Sequence, residues 1–339
     1  MIRVAMLSFW HVHARDYVRQ ATEHPATEIV AVWDELPDRG QAEAQARGVR
    51  FYSKLDELLA QPDIHAVVVG TPTNRHRDVM VAAAQAGKHI FTEKVLAPTL
   101  RECKEIVAAV ERAGVKLIVS LPRLNAGYTP AVQEIIGQGL LGDLTLVRTR
   151  LSHNGAISTE QNPHGWLPAH FYGREQCAGG ALIDLGCHPM YLARLFLGLP
   201  ESVSAHYGYL TGREVEDNAV AILRYPSGAL GVVEAGFVNR FSPFTIEVHG
   251  TEGSLLYGTP EGKLLVRSSK QGTEVGQPWT VEELPPDRPS AFQQWVGHIQ
   301  AGTTGSENVQ MAVDLTMLME ASNLSAASHQ PVRLDALPA

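Results

Sequence analysis

Asp184 and His188 stand four residues apart in "GGALIDLGCHPMYLARLFLG". If that stretch is helical, the spacing puts both side chains on one face. A carboxylate that fixes one imidazole nitrogen leaves the other to act as acid or base. A buried Asp–His pair with only a structural role has the same spacing. Lys94, preceded by Glu93 in "TEK", closes a short apolar run. A lysine at the carboxyl end of a strand can hydrogen-bond a substrate oxygen and stabilise developing negative charge. Taken alone, it also reads as a solvated surface residue. Near the start, "VAMLSFWHVHARDY" opens like the first strand of a nucleotide-binding domain. It then runs into Ser8, Trp10, His11 and His13, where glycines would let a backbone approach a phosphate. Asp34 lies about 20 residues beyond that loop, where an acid accepts hydrogen bonds from an adenosine ribose. A solvated turn residue is the plainer alternative.

The elements around these residues alternate. "IRVAML", "EIVAVWD", the run around Phe51, "HAVVVG", "KHIFTEK" and "VKLIVS" read as strands. The stretches between them read as helices, one starting near Val12, one capped by Ser53, and others closed by Gly48, Gly87 and Gly114. This predicts a doubly wound parallel sheet, which binds ligands at the carboxyl ends of its strands. Thr71, Pro72, Asn74 and His76, in "GTPTNRH", follow the fourth such strand. The small residues and the proline there let a ligand lie across the strand end, and Asn74 can cap the next helix. After residue 121 the pattern changes: one helix, "TPAVQEIIGQG", then strand-like runs from "LTLVRTRLS" to "GSLLYG" joined by turn signals. A large, open, mainly antiparallel sheet follows from this. The polar segment 260–288 reads as irregular strands and loops, and two helices close the chain. The predicted division is 1–120 for the dinucleotide-binding domain and 121–339 for a substrate-binding and oligomerisation domain. Pro189 complicates the helix that carries His188, because a proline inside a helix kinks or restarts it.

The whole chain sets limits on function. Its 339 residues exceed what one hydrophobic core usually holds. Apolar content of 45% and charged content of 19% fit a globular protein in water. A formal charge of -8 argues against a nucleic-acid partner, which needs a basic surface. No apolar run is long enough to span a bilayer, and "MIRVAMLSFWHVHARD" turns polar too soon for a secretory signal. Cys103, Cys177 and Cys187 lack metal-ligand spacing, so a reducing cytoplasm is the expected setting.

Together these pieces resemble the Gfo/Idh/MocA oxidoreductases, the family of glucose–fructose oxidoreductase and inositol dehydrogenase. The family's "EKP" motif is similar to Glu93, Lys94 and Val95, with the proline missing. Its "GGGxLxDxGxH" resembles "GGALIDLGCH", and its "RRxDxxY" looks like "PRLNAGY", which places Arg123 and Tyr128 near the substrate side. The resemblance implies an NAD(P)-dependent dehydrogenase acting on sugars, cyclic polyols or their derivatives, and a homodimer or homotetramer. It implies that His188 takes the hydroxyl proton, Asp184 orients His188, and Lys94 steadies the alkoxide. His153, Asn154, His164, His170 and Tyr172 fall on loops that would line such a pocket; loop polarity alone also accounts for them. Asp34 favours NAD over NADP, although Arg39 follows closely. The family expects "GxGxxG" where this chain has Ser8, Trp10 and His13. Its first loop would hold phosphate through the start of the first helix and through His11 or His13.

Two other readings use the same residues. A non-catalytic sensor of this fold would bind nucleotide or sugar without turnover, but it has no need of a proton-transfer set. An "HxH" after a first strand is also how amidohydrolase barrels begin, with both imidazoles on a divalent metal. That barrel needs eight βα units, and the switch near residue 144 argues against it. No metal is therefore expected.

Overall fold

In a computed structural model that describes residues 1–258, 262–271 and 278–338, the first strand is β1 (Ile2–Leu7). It is followed by α1 (Ala14–Glu23), β2 (Thr27–Trp33), α2 (Pro37–Arg47), β3 (Arg50–Tyr52), α3 (Leu55–Leu59) and β4 (Ala66–Val69). Then come α4 (His76–Gln85), β5 (His89–Thr92), α5 (Leu100–Ala113) and β6 (Leu117–Val119). The six strands form one parallel sheet in the order β3-β2-β1-β4-β5-β6. Successive strands are added outward from β1 on one side to β3 and, from β4, on the other to β6, so the loops after β1 and β4 flank the switch-point crevice where such sheets take their ligands. Continuous apolar runs make this possible: Val4 to Leu7 and Ala66 to Val69 are buried on both faces.

Local chemistry sets the helix ends. Thr99 and Glu102 form a capping box at the start of α5, and Gly114 ends it in the left-handed region. Two expected caps differ. Ser53 does not cap α3, which is preceded by Lys54 in extended backbone. Asn74 sits inside a 3₁₀ turn, Thr73–Arg75, that leads straight into α4, so the turn satisfies the backbone without its side chain. The first helix starts at Ala14 rather than Val12, because the histidine loop turns before entering it.

The second group of elements begins with α6 (Tyr128–Gly137), β7 (Leu144–Ser152), α7 (Arg174–Cys177), α8 (Cys187–Leu197), β8 (Ser202–Gly208), β9 (Asn218–Arg224) and β10 (Leu230–Gly236). It continues with β11 (Thr245–Gly250), β12 (Gly253–Tyr257), β13 (Leu264–Ser268) and β14 (Thr280–Glu282). After α9 (Ala291–Ala301) and α10 (Ser306–Ser328), the short strand β15 (Val332–Arg333) returns to it. Nine strands form one open sheet in the order β14-β13-β12-β11-β7-β10-β9-β8-β15. Among the described residues only the β10–β7 pair of this sheet is parallel. Of the segment read as irregular, 260–261 and 272–277 lie outside the described residues; the rest contains β13 and β14.

The chain forms two units: Met1–Leu121 with Pro289–Thr316, and Pro122–Arg288 with Met317–Ala339. The boundary at 120/121 therefore leaves out one return of the chain, which the sequence division assigned to the second domain. The cause is aromatic packing. Phe292 and Trp295 of α9 close on Phe91 at ring separations of 5.4 and 5.7 Å, and the Trp295 indole N–H donates to the Lys116 carbonyl at 3.3 Å. Both side chains are buried, and aromatic pairs of this geometry add to their area burial.

Candidate functional site

Two sets of residues carry chemistry, one on each unit. On the first unit the loop after β1 folds back on itself. Ser8 has φ 76, a left-handed conformation that glycine adopts more readily. Its hydroxyl accepts the Trp10 N–H at 3.0 Å. The Phe9 N–H goes to Asp34, the His11 N–H to the Gly70 carbonyl at 3.1 Å, and the His13 N–H to His11 Nδ1 at 3.2 Å. The Trp10 side chain is buried. A glycine-rich loop would turn such N–H groups toward a pyrophosphate. Here four of them are engaged within the protein. In the first turn of α1, Ala14 and Tyr17 also bond back to His11 and His13. The N–H groups of Arg15 and Asp16 are the ones left to meet an anion.

Asp34 follows β2 directly and is buried. One carboxylate oxygen accepts from Phe9 N (2.9 Å) and Arg39 Nε (2.8 Å), the other from Leu36 N (2.8 Å) and Arg39 Nη2 (2.7 Å). Glu35 takes the same Arg39 nitrogen at 2.6 Å. Arg39 is thus held between two carboxylates. The acid stands where a ribose acceptor belongs, at the carboxyl end of its strand.

The histidines of the first loop meet Glu93, which lies 80 residues away in sequence. Glu93 Oε1 lies 2.7 Å from His13 Nδ1 and 3.4 Å from His11 Nδ1, and it also accepts from the Tyr17 hydroxyl. Its other oxygen accepts the Lys94 N–H at 3.0 Å. Burial alone would raise the carboxyl pKa; His11, His13 and Lys94 outweigh it and hold it well below the usual range. Glu93 is 1% and Lys94 5% exposed, so this lysine is not the solvated residue that its type suggests. The donor atoms of His11, His13 and Glu93 lie within 4.8 Å of one another, as metal ligands do. Here they already serve each other, and the eight-unit barrel of a metal hydrolase is absent, because the parallel sheet is open with six strands. His76 braces the lysine segment from behind. Its Nδ1 faces the Val95 and Leu96 carbonyls at 3.0 and 3.3 Å, and its Nε2 faces the Thr71 carbonyl at 3.2 Å. Burial lowers its pKa. This ties Thr71 to the segment that follows Lys94, a positioning part for a residue expected at the cofactor.

The low Glu93 pKa carries a sign. A carboxylate depressed in the folded state stabilises it above the unfolded value, around 4.5, and that contribution is lost as pH falls. Glu93→Gln should therefore reduce stability at pH 7 and flatten the fall of stability toward pH 4. Urea unfolding at the two pH values measures this. An unchanged difference between them would show that the cluster does not hold the charge.

On the second unit, a π turn (Leu182–Gly186) runs directly into α8. The wider turn absorbs Pro189, which falls at the third residue of α8. Its carbonyl accepts the Thr149 hydroxyl of β7 at 2.9 Å. Glu216 pins the start of the turn, accepting the N–H groups of Gly180 (2.9 Å) and Leu182 (3.0 Å). A Cβ on Gly180 would come 2.1 Å from the Glu216 carbonyl oxygen, so the second glycine of "GGALID" answers a close approach of backbone. Asp184 lies in this turn, half-buried. His188 is buried, with Nδ1 3.1 Å from the Tyr191 hydroxyl, and that hydroxyl accepts the Arg123 N–H at 3.0 Å. Burial raises the Tyr191 pKa well above 10, so it stays a neutral phenol. When its oxygen accepts Nδ1–H as well, His188 Nε2 carries the lone pair that a base needs. Neither Tyr191 nor Glu216 was singled out from the sequence. Tyr191 stands three residues after His188 on the same helix, a spacing that could have flagged it.

Arg123 and Tyr128 meet, Nη1 to hydroxyl at 3.1 Å, with the guanidinium 3.9 Å from the Phe244 ring centroid. His153 stacks on Phe237 at 5.1 Å and packs near Trp166, whose indole N–H donates to Asn154 at 3.2 Å. His170 lies beside Phe171, and its carbonyl accepts from Gly173 and Cys177.

This two-unit arrangement matches known proteins over its length. Residues 3–121 match the model of the oxidoreductase family with an NAD-binding Rossmann fold, and residues 130–256 match the GFO/IDH/MocA C-terminal domain. The 1,5-anhydro-D-fructose reductase of Ensifer adhaerens is 30% identical over 329 residues, covering 93% of this chain and 95% of that one. The scyllo-inositol 2-dehydrogenase (NAD(+)) of Bacillus subtilis is 29% identical, covering 98% and 96%. The structure of a levoglucosan dehydrogenase with NADH and levoglucosan superposes with a TM-score of 0.79 at 23% identity, covering 100% of this chain and 99% of that one. The chain belongs to the Gfo/Idh/MocA oxidoreductase family, and its first unit is the family's NAD-binding Rossmann fold.

Proposed function

We propose that this protein moves a hydride between NAD and a secondary alcohol carbon of a sugar, a cyclic polyol or a derivative of one. The relatives named above act on such compounds. The observation that carries the reading on this chain is the buried His188 held through Nδ1 by Tyr191. NAD, when bound, supplies the hydride acceptor. In alcohol oxidation His188 takes the hydroxyl proton at Nε2, and Asp184 helps to orient the ring. Lys94 donates to the substrate oxygen and favours its negative charge, and Glu93 holds the Lys94 backbone in place. Asp34 accepts from the adenosine ribose, and Arg15 and Asp16 offer N–H groups to the pyrophosphate. Arg123, Tyr128, His153, Asn154 and His170 contribute to substrate binding.

Cofactor choice follows from Asp34 and Glu35. A 2′-phosphate would meet two carboxylates around a guanidinium already engaged by both. NADH should therefore bind more tightly than NADPH in a fluorescence titration, and a preference for NADPH would overturn the assignment. Mass analysis of small molecules released from the purified protein gives the same answer without a substrate. No helix among the described residues is long and apolar enough to cross a membrane. All three cysteines are buried thiols, which suits a reducing cytoplasm. Homo-oligomerisation draws support from Ile222 and Leu230, which stand part-exposed on one face of the neighbouring strands β9 and β10.

A further inference from the structure

The second unit contains a cleft of about 490 Å³ lined by Ala156, Ser158, His164, Thr211, Arg213 and Val238, among others. Two polar atoms of its lining are buried and have no hydrogen-bond partner among the described residues: Arg213 Nη1 and Thr211 Oγ1. Buried donors are nearly always paired, so each such atom calls for an explanation. The guanidinium is fixed rather than floppy. Its carbon lies 3.6 Å from the centroid of the Tyr172 ring, and Nη2 donates to the His164 carbonyl. Thr211 is fixed too, because its N–H and that of Leu210 are both held by the buried Asp217 carboxylate, at 2.6 and 3.0 Å. Among the described residues no carboxylate pairs with Arg213. A pre-placed cation with one buried N–H to give, next to a hydroxyl, is the chemistry that takes an oxyanion.

We propose that this cleft is a subsite for an oxyanion, a carboxylate or phosphoryl group, received by Arg213 Nη1 and the Thr211 hydroxyl. Tyr172, on which Arg213 lies, donates its hydroxyl to the Gly155 carbonyl at 3.3 Å, and Ala156 lines the cleft. The cleft therefore adjoins the loop that carries His153 and Asn154, which the proposed function assigns to substrate binding, and the oxyanion is carried by the substrate itself, as in a sugar acid. That placement on the substrate rests on the oxidoreductase reading above; the anion site does not.

The test is calorimetry on the full chain, with and without NADH, using inorganic phosphate, D-glucuronate and D-glucose as probes. The wild type should bind glucuronate about tenfold or more tightly than glucose, the loss expected for one charge-assisted hydrogen bond. Arg213→Gln should remove that preference and weaken phosphate by a similar factor. Thr211→Val, which deletes one hydroxyl and keeps the shape, should weaken both anions in part and covers the case in which Arg213→Gln misfolds. Equal phosphate and glucuronate affinities in the wild type and both variants would overturn the site. Phosphate weakened by Arg213→Gln, with glucose and glucuronate bound equally by the wild type, keeps the site and overturns its place on the substrate. Phosphate weakened by the variant, with neither sugar bound in the presence of NADH, keeps the site and counts against the oxidoreductase reading.

Discussion

His188→Ala should lower turnover by about two to four orders of magnitude, the range of general acid–base catalysis, or roughly 3 to 5.5 kcal/mol of transition-state stabilisation. NADH affinity should stay unchanged, since His188 belongs to the second unit and the Rossmann fold to the first. His188 Nδ1 is held 3.1 Å from the Tyr191 hydroxyl, and that hydroxyl is fixed by the Arg123 N–H, so the other nitrogen has a set direction. Tyr191→Phe tests the arrangement apart from the base itself. It keeps the ring and deletes the oxygen, so turnover should fall less than in His188→Ala and the pH profile of kcat should shift, because the tautomer is no longer fixed. Single-turnover rates across pH, with NADH titrations of each variant, measure both effects. Near-normal turnover in His188→Ala would remove this residue from the mechanism.

Lys94→Ala should cost a comparable two to three orders of magnitude, the size of an electrostatic contribution to a developing oxyanion. Its signature should differ. Lys94 sits on the first unit beside Glu93, whose carboxylate holds its backbone N–H, so the change should also weaken NADH. Lys94→Arg should not restore activity, because a planar fork does not replace a point charge in a buried position. Steady-state kinetics with both substrates varied, alongside NADH titration, separate the two effects. Loss of turnover with unchanged NADH affinity in Lys94→Ala would confine the lysine to the chemical step. Retention of both would return it to the role of a buried structural cation.

The fold was legible because its signals are local. Apolar runs such as Ala66 to Val69 and the left-handed glycine at 114 each act within a few residues. The return of α9 to the first unit was not legible, since it depends on Phe292 and Trp295 finding Phe91 about 200 residues away. The site divides in the same way. Asp184 and His188 stand out by spacing, and Arg123 with Tyr128 by motif. The partners that orient them do not, because Glu216 reaches Gly180 and Glu93 reaches His13 through the fold alone. From sequence the first loop reads as a phosphate site that uses the start of the first helix and His11 or His13. In the structure the same histidines turn to a buried acid, and Ser8 takes a backbone conformation that usually marks glycine.

Hydride transfer itself is read from the appearance of NADH when the purified protein is incubated with NAD and a panel of aldoses, cyclic polyols and sugar acids, the wild type beside His188→Ala. NADH should form with at least one polyhydroxy compound in the wild type, and its formation should be nearly abolished in the variant. NADH that binds normally, with no turnover of any such compound in either direction, would contradict the proposed hydride transfer and identify the protein as a binding member of an oxidoreductase family.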